Sequence, residues 1–147
     1  MLHDHDFFLR CDPHLSKCEK LKPDEPPAIP DEVKAQLAPG SETQSYSITD
    51  IIHTIPAGIW DSNVVSTYEI TNITNGLFVR IKSPLSVVMD SIWEIRAGED
   101  GALGIYEDIE ITCSRLLVGI VKSQCEGGCA HIHAKMFGRV EELVQSG

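Results

Sequence analysis

Between residues 45 and 113 the chain alternates apolar and polar positions with a period of two, and beyond them the period lengthens to three and four. The run SYSITDIIHTI predicts a strand at 45–55, closed by a turn at Pro56-Ala57-Gly58. NVVSTYEITNI predicts a second strand at 63–73, and Asn75-Gly76 is a hairpin signal leading into a third at 77–83. After Pro84, LSVVMDSIWEIR predicts a fourth at 85–96; AGEDGALG is a turn, and GIYEDIEITC predicts a fifth at 104–113. Consecutive strands on short connections favour an antiparallel meander.

The flanks differ. Residues 2–11 predict a short helix with Leu2, Phe7 and Phe8 on its apolar side, broken at Asp12-Pro13 because the residue before proline leaves the helical region. His14 to Leu21 reads as a short strand. Residues 22–44, with five prolines, read as a mobile surface loop containing one helical turn near Asp31–Leu37. Residues 114–145 predict a long helix whose apolar stripe is Leu117, Val121, Cys125, Cys129, Ile132, Met136, Val140 and Leu143. Gly127-Gly128 inside it costs about 1 kcal/mol per glycine relative to alanine, which suggests a kink or a close approach by something bulky.

The terminal helix is the only long element able to cover one face of the sheet. The expected architecture is a single α+β domain over residues 1–147: a curved antiparallel sheet wrapped around the C-terminal helix, with an apolar pocket between them. The helical pattern begins at Leu2 with no lead-in, so a first strand is missing from this chain or the domain is built without one.

Composition narrows the partners. The formal charge of −10 argues against nucleic acid and anionic membranes, which need basic surfaces. No run of about 18 apolar residues predicts a membrane span, and MLHDHDFFLR lacks the basic end and apolar run of a signal peptide. Five cysteines without regular spacing fit a reducing compartment, so a cytoplasmic protein is expected.

The strings LHDHDFFLRCDPHLSKCE, YSITDIIHTIP, IWEI, YEDIEITCSRLLVGIV and AHIHAKMFGRVEELV, with the Asn75-Gly76 hairpin, resemble a fungal family within the START-like, or SRPBCC, superfamily. That resemblance covers almost the whole chain and implies the helix-grip fold, although the first strand of that fold is not found. It also implies a cavity for lipids, polyketides or other apolar molecules. Some members of the superfamily are polyketide cyclases or dehydratases, including pyrone-forming enzymes of secondary metabolism, while others carry or sense ligands. Fold analogy does not choose between these.

Candidate chemistry comes from ionisable groups on apolar faces. Tyr46, Ile48, Asp50, Ile52 and Thr54 share one face of their strand, and Leu103, Ile105, Glu107, Ile109, Ile111 and Cys113 share one face of theirs. Asp50 and Glu107 interrupt these rows. Desolvation would raise either pKa and suit it to general acid–base work; the alternative is a structural carboxylate paired with Arg80 or Lys82. Trp93 is a flat wall for a ligand or a plain core tryptophan. Tyr46 and Tyr68 offer hydroxyl donors, and His133 is the best-placed imidazole.

Cys125, Cys129 and His133 stand at i, i+4 and i+8, but the outer two lie about 12 Å apart along a helix, too far for one ion. No metal is expected, and the cysteines read as small apolar residues. His3-Asp4-His5-Asp6 reads as a solvated end, since i and i+2 point apart on a helix. No serine-hydrolase, phosphate-loop or dinucleotide motif occurs.

The expected function is binding of an apolar small molecule and its proton-transfer-assisted cyclisation or lactonisation, without a cofactor. Asp50, Glu107, His133 and Tyr46 are the catalytic candidates. Ile48, Tyr68, Met89, Trp93, Ile105, Ile109 and Met136 are the candidate ligand contacts. The alternative is a non-catalytic carrier or sensor, and an open sheet edge offers a site for a homodimer.

Overall fold

The computed structural model describes residues 1–51 and 63–147. The elements are, in order, α1 (His5–Arg10), β1 (Leu15–Leu21), α2 (Asp31–Lys34), β2 (Gln44–Ile51), β3 (Asn63–Ile73), β4 (Gly76–Ser83), β5 (Val87–Ala97), β6 (Leu103–Thr112) and α3 (Val118–Ser146). The six strands form one antiparallel sheet in sequence order. The end, at 52–55, of the strand expected over 45–55 and the turn at Pro56-Ala57-Gly58 lie outside the described residues.

Alternation sorts the strand residues onto two faces. Ile48, Ile70, Leu77, Val79 and Trp93 form the main core with Leu2, Phe8, Leu9 and Cys11 from the N-terminal segment and Met136 of α3. On the reverse face Ile73 and Phe78 pack with Val33 of α2, flanked by Ile29 and Ile92. The proline-rich stretch is therefore not simply a mobile surface loop. Arg80 forks onto Asp90, with both nitrogen–oxygen distances 2.8 Å, and also donates to the Ala28 carbonyl. Ala38 N donates to the Asn72 carbonyl and Thr74 N to the Gln36 carbonyl, fastening the stretch across the end of β3.

The expectation of a curved sheet wrapped around the helix is corrected. The sheet is flat and open, with β1 and β6 at its edges. Curvature needs bulges or kinks in the inner strands. Here every pairing from β2 to β6 runs in unbroken register, and the one irregularity among the described pairings is at the β1 edge, between Leu15 and Lys17. Helix α3 lies over one face and comes nearest the sheet backbone at β6. Among the described residues no strand precedes α1, and the edge strand β1 follows it.

Helix α3 runs unbroken through Gly127-Gly128, so the glycines make no break. Only Val121 and Met136 of its expected stripe are fully buried; Val140 and Leu143 are exposed where the helix outruns the sheet. At the other end of the chain, the Asp4 side chain caps α1 by accepting from Phe7 N. The expected solvated cluster is solvated only in part. Asp4 and Asp6 are exposed, but His3 Nε2 lies 2.9 Å from the Ile73 carbonyl and 3.0 Å from that of Gly76. His5 Nε2–H donates to Asn72 Oδ1 at 2.7 Å, which leaves Nδ1 to accept from the Tyr46 hydroxyl at 3.0 Å.

Two turns depart from the sequence reading. β5 begins at Val87 rather than 85, because Leu85 and Ser86 adopt positive φ (62° and 58°) and turn the chain after Pro84. In the β3–β4 hairpin, Thr74-Asn75 is the loop and Gly76 already pairs with Ile73 and Glu94. The glycine is needed for close approach: a Cβ there would sit 1.7 Å from the Trp93 carbonyl oxygen. Gly76→Ala is therefore expected to destabilise the fold by about 2–3 kcal/mol, as overpacking against backbone does. Urea denaturation measures it, and an unchanged midpoint would contradict this account of the hairpin.

Candidate functional site

The apolar face of the sheet does not meet the helices everywhere. A cavity of about 170 Å³ remains between them. Phe8 and Leu9 of α1 close one side, and Cys125, Gly128, Cys129 and Ile132 of α3 form the roof. The floor comes from every strand after β1: Ile48 and Asp50, Tyr68, Val79 and Ile81, then Met89, Ser91 and Trp93, with Glu107 and Ile109. Strand pairing sets this floor in rows, with Tyr68–Ile81–Met89 in one, Val79–Ser91–Ile109 in the next and Leu77–Trp93–Glu107 beyond. A smaller chamber of about 80 Å³ adjoins, bounded by Val64, Ser66, Ser83, Val87 and Val121 and sharing Asp50, Tyr68, Ile81, Met89, Gln124 and Cys125 with the first.

Asp50, Glu107, Ile48, Tyr68, Met89, Trp93 and Ile109 thus come together around one space. Met136 and Ile105 belong to the core beside it and do not line it. Tyr46 is turned away, bonded to His5 in a groove open to solvent. His133 stands behind the wall, its ring edge-on to Trp93 with centroids 5.3 Å apart and Nε2 4.0 Å from Glu107 Oε2. Burial lowers its pKa, and its Nε2 has no hydrogen-bond partner among the described residues.

The two carboxyls are buried without a cation. Asp50 is 7 % exposed, and its Oδ1 is buried with no hydrogen-bond partner among the described residues. Burial, and then the charge of Asp12, pushes its pKa up to about 7. Glu107 is also pushed up to about 7, by burial first, against a hydrogen bond from the Cys129 thiol that pulls it down. The structural alternative fails for the proposed partners. Arg80 is engaged by Asp90 and Lys82 by Glu69, and neither cation lines the cavity.

The thiols are not nucleophiles here. Cys129 Sγ donates to Glu107 Oε2 at 3.0 Å, and its pKa rises to about 12; Cys125, directed at Met89 Sδ, rises to about 11. A thiol held protonated is a weak donor and a small apolar filler, not an attacking group. Among the described residues no three His, Cys, Asp or Glu side chains converge closely enough to hold a metal ion, and none of the helices is long and apolar enough to cross a membrane.

Several contributors escaped the sequence reading. Asp12 and His14 sit on the break after α1, where the Asp12 side chain accepts from His14 N at 2.8 Å, and periodicity says nothing about such a turn. Ser91, whose hydroxyl accepts from Trp93 Nε1 at 3.2 Å, was visible only as a member of the Trp93 row. Gly128 had a signal, since a helical glycine invites a question. A Cβ added there would meet nothing within 4 Å, so the glycine leaves open space on the cavity side of the helix.

These features define an α+β protein with a flat six-stranded meander, covered on one face by two helices that enclose an acidic, apolar-walled cavity. The chain belongs to the DUF7053 family, a domain of unknown function whose model matches residues 1–142. No curated protein and no solved structure matches the chain. The resemblance to the START-like, SRPBCC superfamily is corrected accordingly: the family matched is DUF7053, and a flat sheet in unbroken register is not a helix grip. The polyketide-cyclase identity that came with that resemblance falls with it.

Raised carboxyl pKa values carry a stability consequence. Below about pH 4 both the folded and unfolded chains hold these protons, and no penalty exists. Between there and about 7 the folded state binds more protons than the unfolded one, so stability falls as pH rises; above about 7 the full penalty applies. Asp50→Asn and Glu107→Gln are each expected to stabilise the protein by about 1–3 kcal/mol near pH 8, allowing for solvent screening, with the gain vanishing towards pH 4. Urea melts across that range measure it. Variants less stable than the parent at pH 8 would mean that the carboxylates have stabilising partners.

Proposed function

We propose that the cavity takes a small, largely apolar molecule and that a buried carboxyl, Asp50 or Glu107, moves a proton on it, the step that an intramolecular ring closure or lactonisation requires. The observation that carries this reading is the pairing of two desolvated carboxyls, with no lysine or arginine in the described lining, in one largely apolar space that Asp12, His14, Ser91 and Gln124 also border. A carboxylate stripped of water and counter-ion is a stronger base than one in solution, and a pKa near 7 suits it to both halves of a proton transfer. Tyr46, bonded to His5, drops out as the group stabilising the developing oxyanion. Tyr68 lines the cavity and stays protonated, since burial and four surrounding acids push its pKa well up. It takes the donor role in this proposal.

Size limits the molecule. A cavity of about 170 Å³ is close to the roughly 150 Å³ that accepts a single benzene ring, and well below the roughly 300–1,000 Å³ of drug-sized pockets. A ring or a short chain fits this space, and a sterol does not.

A ring-sized reporter of desolvated carboxylate bases tests the idea. Nitrobenzisoxazole loses its ring C–H proton to a base as the N–O bond breaks, releasing a coloured cyanophenolate; the carboxyl then returns the proton to water. Turnover should rise with pH through about 7 and fall about 100-fold in Glu107→Gln, Asp50→Asn or both. Gly128→Leu, which fills the cavity and leaves both carboxyls, should abolish binding and turnover together. Full activity in both carboxyl variants would sink the mechanism. Binding without turnover in the parent would favour a carrier.

A further inference from the structure

The cavity's charge has no counterpart in its lining. Asp12, Asp50 and Glu107 face it, and no lysine or arginine lines either chamber. Residues 52–62, IHTIPAGIWDS, contain neither lysine nor arginine in sequence. The nearby cations are used elsewhere. Arg80 is bonded to Asp90 and Lys82 to Glu69, while exposed Lys135 donates to the Arg10 carbonyl.

Within this acidic space Asp50 has a distinct position. It borders both chambers, it is 7 % exposed, and its Oδ1 is buried with no hydrogen-bond partner among the described residues. Glu107 borders only the larger chamber and already accepts from the Cys129 thiol. The groups facing Asp50 are Asp12 and His14 from the turn before β1, Tyr68 from β3, Gln124 and Cys125 from α3, and Glu107 across the cavity. His14 is the one basic side chain among them, and no lysine or arginine is present.

We propose that the molecule taken up here carries a positively charged nitrogen: a ring-sized apolar body with a short arm ending in an ammonium group, for which Asp50 is the counter-ion. The proposal rests on the cavity reading above and names its substrate class. A buried carboxylate without a partner is unfavourable, and a ligand cation that supplies the missing charge gains what the empty site lacks. The walls agree, since the faces of Trp93, Tyr68 and Phe8 attract an organic cation. The larger chamber holds the ring, and the arm reaches Asp50 where the two chambers meet. Fatty acids and other carboxylates are disfavoured by three like charges. Among the described residues no three His, Cys, Asp or Glu side chains group closely enough to hold a metal ion. The roles then divide. Asp50 orients the ligand as its ion partner, and Glu107, beside Trp93 on the neighbouring strand, is left as the base.

Three isosteric probes separate this from the broader reading: phenethylamine, phenethyl alcohol and phenylacetate, titrated calorimetrically into the full chain. At about pH 8 the amine should bind at least about 10-fold tighter than the alcohol, and phenylacetate more weakly than either. At about pH 5.5 Asp50 is protonated before binding, and the amine's advantage should shrink to a few-fold. Asp50→Asn, checked for folding by circular dichroism, should erase the preference of the amine over the alcohol; Gly128→Leu should remove binding of all three. Equal binding of amine and alcohol by the parent at pH 8 would overturn the cation and leave the cavity reading standing. Failure of every probe would overturn both. An Asp50→Asn variant that keeps the full preference would overturn Asp50 as the counter-ion.

Discussion

The unbroken register of the inner strands is the constraint on which the rest of the structure depends. With a side-chain period of two, one slipped residue in any strand would send its whole inward set to the other face. Because β2 to β6 pair without a bulge, Asp50, Tyr68, Met89, Trp93 and Glu107 all project from one surface although they come from four strands. The same regularity keeps the sheet flat, and a flat sheet cannot close around a helix. The space beneath α3 is therefore bounded by helices on a plane rather than by a barrel. Its size is set by side chains and by Gly128.

Fastening the coverings onto that plane takes polar contacts as well as apolar ones. On the cavity face, Phe8 and Leu9 reach the core only because the chain ahead of α1 is tied to the β3–β4 end through His3 and His5. On the reverse face, Arg80 links Asp90 to the Ala28 carbonyl and so holds Val33 over Ile73 and Phe78. Arg80 and Lys82 are both engaged on that side, by Asp90 and Glu69. This segregation, positive groups engaged behind and acids facing the cavity, gives the site its electrostatic character.

Much of this architecture can be read from the sequence where local pattern decides. The strands at 63–73, 77–83 and 104–113 and the long terminal helix follow from periodicity, and so does the placing of Asp50 and Glu107 on apolar rows. What the pattern could not give is the curvature of the sheet. Curvature depends on bulges or kinks, which the alternation of apolar and polar positions does not report. Tyr46 shares its row with Ile48 and Asp50, yet its row ends beyond the helices' cover, where His5 meets it. Val33 was invisible because a lone apolar residue among prolines has no period. Asp12 and His14 lie in a turn, where only the folded chain reveals a neighbour.

Local choices that weaken the fold cluster around one space. Gly128, on the cavity side of α3, costs the helix about 1 kcal/mol against alanine, although a methyl group there would meet nothing. Two uncompensated carboxyls add about 1–3 kcal/mol each at neutral pH. Set against the roughly 5–15 kcal/mol that holds a domain of this size together, that is a large fraction to carry at one place. Isosteric amides and alanine would remove it without disturbing the sheet or its coverings. Where sequence rules are broken together around one cavity, stability is traded for something the fold itself does not require. In the proposed function the acids answer to the ligand, and the charge of that ligand is the property that Asp50 and Glu107 most directly constrain.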